Sequence, residues 1–526
     1  MPINASVEEA FSVARNKLRV LFGLYDKPLF VYRRSIDARK KDNIIFVYSV
    51  GAELGDARVS EDKLAKIDGA IIEIAEPDIE VGCEPLSASP VIVGSGPCGL
   101  FCALLLAEWG YSPILLERGS CIYLRKEAVK KFYDEHVLDL DSNIQFGAGG
   151  AGTFSDGKLV TRVNDPLCNY VLRRFVEFGA PADIEFIAKP HVGTDILSNV
   201  VDKILVRIEQ LGGKVYYNTA FLSAVENLGR VVGVNTTSGQ ISAGALVLAV
   251  GHSARDTYST LISKNMDIEA KSFSVGMRIE HLAEDIDRAM YGDFAGHPAL
   301  GHAEYNLSHN TKIRGVYTFC MCPGGEVVAA ASEEGGVVVN GMSYHGRNSK
   351  NSNSAVLCSI FKEDYGNTPQ NAIDFQRKIE RAAYKCGGGA YKAPIITVGD
   401  FIEGKLDREP SRILPSYMNG SNVVLRSPEE YLPGTVCDAI KGALRVFDRK
   451  IDGFSASDAV LTGAETRSSS PIRIIRDFST RLATGYSNLY PAGEGAGYAG
   501  GITSAAIDGL KTALAIIGRY KPISSR

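Results

Sequence analysis

The chain has 526 residues, of which 45% are hydrophobic and 22% charged, with a formal net charge of -4. That length calls for two or three domains, and so even a charge balance offers no electrostatic hold on nucleic acid or on an acidic membrane surface. The ten cysteines are too sparse for a disulfide framework, and no segment has the order of basic, apolar and small residues that marks a signal peptide, so a cytoplasmic protein with reduced thiols is expected.

Residues 1–88 are expected to form a small α+β domain of ferredoxin-like or similar two-layer type. Apolar residues at helical spacing predict a helix over Val7 to Phe22. Strands are predicted over Pro28 to Tyr32 and Ile44 to Val50, then a short helix near Glu61 to Ile67 and a strand near Ala70 to Ile74. Arg33, Arg34, Arg39, Lys40 and Lys41 crowd the segment between the first two strands. A solvated hairpin explains them more simply than an anionic partner. The stretch EPLSASP, Glu84 to Pro90, is the linker into the next domain.

Residues 89–270 open with Val91, Ile92 and Val93, a run suited to a strand buried on both faces. Gly94, Gly96 and Gly99 follow as G-x-G-x-x-G, enclosing Ser95, Pro97 and Cys98, and an apolar helix runs on through Ala107. That apolar window, Cys98 to Ala107, is about half the length of a membrane span. After Gly110 a second strand, Ile114 to Leu116, leads to Glu117 and Arg118. Gly94 permits the tight turn, Gly96 lets a pyrophosphate approach the backbone, and Gly99 lets helix and strand pack closely. The helix N-terminus offers unpaired N–H groups to phosphate, and Glu117, 23 positions after Gly94, can accept from ribose hydroxyls. Strand, glycines, helix, second strand and acidic residue in this order specify a dinucleotide site.

A charged helical stretch follows, then NIQFGAGGAGTFSDGKL, Asn143 to Leu159. Its glycines, Gly149 and Gly150 among them, allow close backbone approach, and Thr153, Ser155, Asp156 and Lys158 stand beside them, so the loop is expected to face a ligand. Asp165 and Pro166 open one helix, and a longer one begins at Thr194 and Asp195 and stops at Gly212. Strands are predicted around Lys214 to Asn218, Ser223 to Glu226, Val231 to Asn235 and Leu246 to Val250, the last running into Gly251 and His252, which is placed to meet a ligand.

Residues 271–460 have strand-like runs at Ser272 to His281, Val316 to Ala331 and Val337 to Ser343, and a helix near Ala372 to Tyr384. They are expected to form a substrate or cap domain on a mainly antiparallel sheet. Cys320 and Cys322, two apart on a strand, point to one face. With no second Cys or His cluster nearby no metal is expected, strand geometry disfavours a disulfide between them, and packing ahead of the Pro323-Gly324-Gly325 turn is favoured. Residues 461–526 return to the first domain. They carry Glu465 and Arg467, then a short strand, Gly493-Glu494-Gly495, and Gly500-Gly501 opening a helix at Ile502. This second glycine-lined helix start suits the far end of a long dinucleotide, with Glu494 beside ribityl or phosphate-adjacent hydroxyls. FAD uses both ends of such a chain, whereas NAD needs only the first.

With GSGPCGLF (94–101), QFGAGGAGTFSDGKL (145–159), AVGHSARDT (249–257), FCMCPGG (319–325), TGAETRSSSP (462–471) and PAGEGAGYAGG (491–501), the chain resembles the glutathione-reductase-like FAD superfamily. More narrowly it resembles a bacterial family labelled FAD-dependent, or FAD-utilising, dehydrogenase, whose members largely lack a known substrate. The resemblance implies an α/β protein: a Rossmann-like FAD-binding domain with an inserted β domain and the small N-terminal domain. It implies FAD contacts at Gly94, Gly96, Gly99, Glu117 and Glu494, and places Gly149 to Ser155 against the ring or pyrophosphate. The expected activity is hydride transfer between flavin N5 and a small organic substrate. Arg467 is the candidate to orient an anionic substrate, with Cys322 and His252 for acid–base work. No second G-x-G-x-x-G follows a strand, so an NAD(P)H donor would bind only transiently in the substrate cleft. Two other readings stay open. One is a flavin- and folate-dependent RNA methyltransferase, resting on RRSIDARKK against the acidic balance, and the other a non-enzymatic flavin-binding module.

Overall fold

Short runs that are apolar on every residue cannot keep one face in water, so they must lie side by side inside a covered sheet. In the computed structural model they do. The model describes residues 1–523 apart from 56, 58, 66, 68, 69, 72–75, 162, 312 and 313. A five-stranded parallel sheet has the order Leu489–Pro491, Ala245–Leu248, Pro90–Val93, Ile114–Leu116, Lys214–Tyr216. Helices Pro97–Glu108, Thr194–Gln210 and Ile502–Ile517 cover one face. An antiparallel meander (Phe221–Asn227, Arg230–Thr236, Gly239–Ser242) and helix Arg255–Ser263 cover the other. Strand order reverses at Pro90–Val93: the chain first adds Ile114–Leu116 and Lys214–Tyr216 on one side of it, then Ala245–Leu248 and Leu489–Pro491 on the other. A crevice opens at such a switch point, beyond the carboxyl ends of the strands.

Two glycines make this packing possible. A Cβ on Gly99 would stand 1.8 Å from the Gly94 carbonyl oxygen, and one on Gly509 would stand 2.0 Å from that of Cys98. The first lets helix Pro97–Glu108 sit on its strand, and the second lets helix Ile502–Ile517 cross it closely.

The second layer is a seven-stranded sheet in the order Ser308–Asn310, Gly315–Cys322, Asn351–Ile360, Phe273–Leu282, Val460–Glu465, Ala393–Thr397, Val423–Leu425, antiparallel but for the last pair. Its central strand Phe273–Leu282 is buried along its whole length. The strand-like run from Val316 to Ala331 divides at its Pro323-Gly324-Gly325 turn: Gly315–Cys322 lies in this sheet, while Glu326–Ala329 pairs with Val339–Met342 as a separate hairpin. Strand Val460–Glu465 also belongs here, so the chain returns to the parallel sheet after Glu465 rather than at 461.

At the N-terminus, helix Val7–Phe22 is closed by a Ser6–Glu9 capping box and by Gly23 in the left-handed region. Hairpin Leu29–Asp37/Ile45–Ala52 follows, and its Ile44 and Phe46 side join the core of the seven-stranded sheet. The strand expected at Ala70 to Ile74 falls largely on residues outside those described. Arg39, one of the clustered cations, is tied to its neighbour Asp37 (Nε to Oδ1, 2.9 Å). Among the described residues no helix is long and apolar enough to cross a membrane.

Gly99→Ala should lower stability by about 1–3 kcal/mol through overpacking. Gly442→Ala, inside helix Gly434–Asp448 with open space around its Cβ position, should raise it by about 0.5–1 kcal/mol. Urea midpoints of the two variants check both signs.

Candidate functional site

A cavity of about 950 Å³ lies beyond the carboxyl ends of Pro90–Val93 and Ala245–Leu248, between the two sheets. Gly94, Ser95, Gly96, Pro97, Cys98, Glu117, Arg118, Gly150 and Ser155 line it from the first half of the chain, and Gly251, His252, Arg467, Glu494, Gly500, Gly501 and Ile502 from the rest. Five predicted residues lie outside the lining. Gly99 serves the helix–strand contact. Gly149 N–H donates to Ser95 Oγ (3.3 Å), Gly493 N–H donates to Asp508 Oδ2 (2.7 Å), Thr153 is buried beneath the loop, and Cys322 is buried behind the cavity wall.

Two buried side chains of opposite charge shape the glycine loops. Glu117 Oε2 accepts from Ser95 N (3.1 Å) and Ser95 Oγ (2.5 Å), and Oε1 from Gly119 N (2.9 Å) and Gly147 N (3.0 Å). A ligand hydroxyl can reach this carboxylate by displacing the Ser95 hydroxyl, the one donor of the four that can rotate away. Arg125 does the reverse. Its guanidinium, fully buried, donates to the carbonyls of Asn143 (2.8 Å), Ile144 (2.9 Å), Gly147 (3.3 Å), Ala148 (2.7 Å) and Gly150 (2.9 Å). Burial pushes this group down to about 9, against the opposing pull of Glu117. In sequence Arg125 lies within a charged helical stretch that gives it no separate mark. The signal was its place on one stripe with Ile122, Val129 and Phe132 of helix Ile122–Glu135.

The far loop is held similarly. Asp508 accepts from Gly493 N and from Arg476 (2.8 and 3.0 Å), and the Tyr258 hydroxyl lies 2.8 Å from Gly251 O and 2.9 Å from Gly495 O, joining the two loops. Arg118 is engaged by Asp256 (2.9 and 3.0 Å) and Asp141, and lies over the Phe146 ring at 4.3 Å.

The three catalytic candidates differ in what the structure leaves free. Arg467 reaches the cavity edge, but its guanidinium is bound by Glu380 (3.0 and 3.2 Å) and Ser332. Glu380, on helix Pro369–Cys386, also takes Arg255 at 2.7 and 2.8 Å; the two guanidinium groups overcome its burial and hold it well below the usual carboxylate range. Burial holds His252 below the usual imidazole range, so it is neutral at pH 7. Its Nδ1 lies 3.3 Å from Ser253 Oγ and its ring bonds the Arg467 carbonyl. Cys320 and Cys322 do not share a face, because a bulge falls between Phe319 and Cys322. Cys320 lines the cavity instead. Lys158 and Lys189 also reach it; Lys158 donates to the Met321 carbonyl and lies 3.6 Å from Glu304. Among the described residues no group of three or more His, Cys, Asp or Glu could hold a metal.

The lining fits FAD on a feature that the fold alone does not require. A Cβ built on Gly96 would meet only Gly150 Cα, at 3.9 Å, and one on Gly500 or Gly501 would meet nothing within 4 Å, with no left-handed backbone at any of the three. Packing leaves these positions open, and both long helices begin beside them at Pro97 and Ile502. Backbone thus faces the cavity at both ends of an elongated site, as a pyrophosphate and a distant ring need.

Residues 272–468 match the family described as FAD-dependent protein, C-terminal domain-like. An uncharacterised protein of Clostridium beijerinckii is 44% identical over 525 residues, 98% of each chain. Among solved structures the chain is similar to CtdE in complex with FAD, with a TM-score of 0.32 and 12% identity over 81% of this chain and 84% of that one. It is similar also to glycine oxidase from Bacillus cereus, with a TM-score of 0.35 and 10% identity over 83% of this chain and 99% of that one.

Arg125→Lys should leave carbonyls of the 143–150 loop without donors, at about 1–3 kcal/mol for each unsatisfied group, and cut the FAD retained on purification; Lys126→Met, one residue along on the exposed face, should not. Glu380→Gln should cost about 3–5 kcal/mol at pH 7 by leaving two buried cations short of charge. Because the Glu380 pKa is depressed in the folded chain, its stabilisation exists above the unfolded pKa and fades as pH falls. Denaturant curves should therefore show the variant's deficit shrinking below about pH 4.3.

Proposed function

We propose that this chain, whose residues 272–468 match the family of FAD-dependent proteins, is a flavoprotein oxidoreductase passing a hydride between FAD and a small anionic organic substrate held in the same cavity. The observation that carries the reading is the composition of that one cavity. Its near wall is the pair of glycine-lined helix starts, and its far wall is the face of the seven-stranded sheet with Tyr317, Cys320 and Glu465, flanked by Lys158. We read residues 89–270 with the segment after Glu465 as the FAD-binding domain, of Rossmann-like glutathione-reductase type, and the intervening sheet as the substrate domain.

Gly94 to Cys98, Glu117, Gly150 and Gly500 to Ile502 would hold FAD, which supplies a ring able to take up and release a hydride. Every other part of the chemistry falls to the chain. The role first given to Arg467 passes to Lys158, since the Arg467 guanidinium is engaged by Glu380. A lysine ammonium has three donors, and Lys158 uses one on Met321 O. Lys189, at the rim, can meet the same anionic group. His252, neutral and fixed between Ser253 and the Arg467 carbonyl, shapes the cavity floor without adding charge beside the substrate.

Lys158→Met should leave FAD content unchanged and slow reduction of the bound flavin by anionic organic donors about ten- to a hundredfold, the worth of one charge-assisted hydrogen bond. Anaerobic stopped-flow bleaching with a panel of 2-hydroxy and 2-amino acids and nicotinamide nucleotides measures it. Equal rates in parent and variant for every donor that bleaches the flavin would remove Lys158 from this role, and a flavin that no donor bleaches would contradict the oxidoreductase reading.

A further inference from the structure

Strand Gly315–Cys322 pairs regularly with Asn351–Ile360 as far as Phe319 opposite Ala355 and resumes with Cys322 opposite Asn353. The strand therefore carries one extra residue in that interval, and within it Cys320 has φ +43°. A left-handed backbone is strained for a non-glycine residue. A site needing only a small packing residue would favour glycine or asparagine there.

The bulge changes what two cysteines at this spacing can do. Alternate residues of a flat strand lie about 6.6–6.8 Å apart at Cα, at the outer limit for a disulfide. Here the chain folds back. Cys322 Sγ donates to the Cys320 carbonyl oxygen at 3.3 Å, which turns it back toward Cys320. Cys320 is half-buried and faces the cavity, while Cys322 is fully buried behind it. Arg278 lies against the bulge, with Nη1 3.0 Å from Cys320 O and 4.0 Å from Cys322 Sγ, and Lys158 donates to the carbonyl of the intervening Met321. The neighbouring Cys322 and these cations pull the Cys320 thiol below the ordinary thiol range against its burial, and the neighbouring Cys320, with burial, pushes Cys322 up. One sulfur is thus suited to hold negative charge and the other a proton, the asymmetry that thiol–disulfide chemistry uses.

We propose that Cys320 and Cys322 form a reversible disulfide that exchanges two electrons with the flavin of this cavity. This rests on the FAD reading above and adds a second redox centre to it. In the reducing direction the Sγ–Sγ bond breaks, Cys322 gains a proton and Cys320 remains a thiolate. The electron pair and that proton come from anionic dihydroflavin, which is oxidised to FAD. In the other direction the dithiol returns both to the flavin. Cys98, which also lines the cavity, and Cys102 do not suit the thiolate role, because burial pushes both thiols well up.

The test is a thiol count and a reductive titration on air-oxidised, FAD-loaded protein. Denatured anaerobically in a thiol reagent, it should show two fewer free thiols than its ten cysteines, with the missing pair in the peptide spanning Cys320 and Cys322. Anaerobic dithionite should deliver four electrons per flavin, and two per flavin in Cys320→Ser and in Cys322→Ser. Yellow parent protein with ten free thiols and two-electron uptake overturns the inference and leaves the FAD reading standing. Colourless protein that takes up no FAD overturns both, and its absorbance separates the two cases.

Discussion

The structure turns on a pair of buried opposite charges, Glu117 and Arg125, that fix two glycine loops from outside. Glycine-rich backbone has little conformational preference of its own, so its shape must be imposed by its hydrogen-bond partners. Glu117 gathers N–H groups from the Ser95, Gly119 and Gly147 turns, and Arg125 gathers carbonyls from Asn143 to Gly150. Between them they close one wall of the cavity and leave Gly96 facing into it. Each charge is satisfied mainly by backbone, so the loops are anchored from behind, and of the two side chains only the Glu117 carboxylate meets the cavity.

A second set of ion pairs fixes how the two sheets meet. Glu380 accepts from Arg255, which opens a helix on the parallel sheet, and from Arg467, just past the last long strand of the antiparallel sheet. Arg278 and Glu465 bridge neighbouring strands at 2.8 Å beneath the Cys320 bulge. Removing one partner of such a pair is costly because the other charge stays buried. The crevice between the layers is thereby held at a set width and lined with polar atoms whose positions are already fixed.

The parallel sheet, the first glycine loop and the second helix start at Ile502 were legible because each rests on local rules: apolar runs, glycine spacing, helix punctuation. The cavity lining follows from them, since both glycine motifs sit at strand ends that a parallel sheet brings together. What escaped was the partner of each charge. Arg467 could be placed near the ligand from its segment, but Glu380, on a helix nearly ninety residues earlier, has no sequence mark as its counterion. Arg125 sat on an apolar stripe among lysines and glutamates that made the helix look solvated. The Cys320 bulge was hidden for a different reason. Period-two alternation assumes an unbroken ladder, and a single extra residue reverses which side chain meets the cavity.

The central claim is that this cavity, framed by Glu117 and Arg125 and open at Gly96, Gly251 and Gly500–Gly501, holds one FAD. The most direct measurement is the flavin released per chain on denaturing protein that has been purified, incubated with excess FAD and freed of unbound ligand, with the released flavin identified by chromatography. The account predicts about one FAD per chain with a retained flavin absorbance before release. Protein that stays colourless, or that retains FMN or NAD in place of FAD, would contradict it.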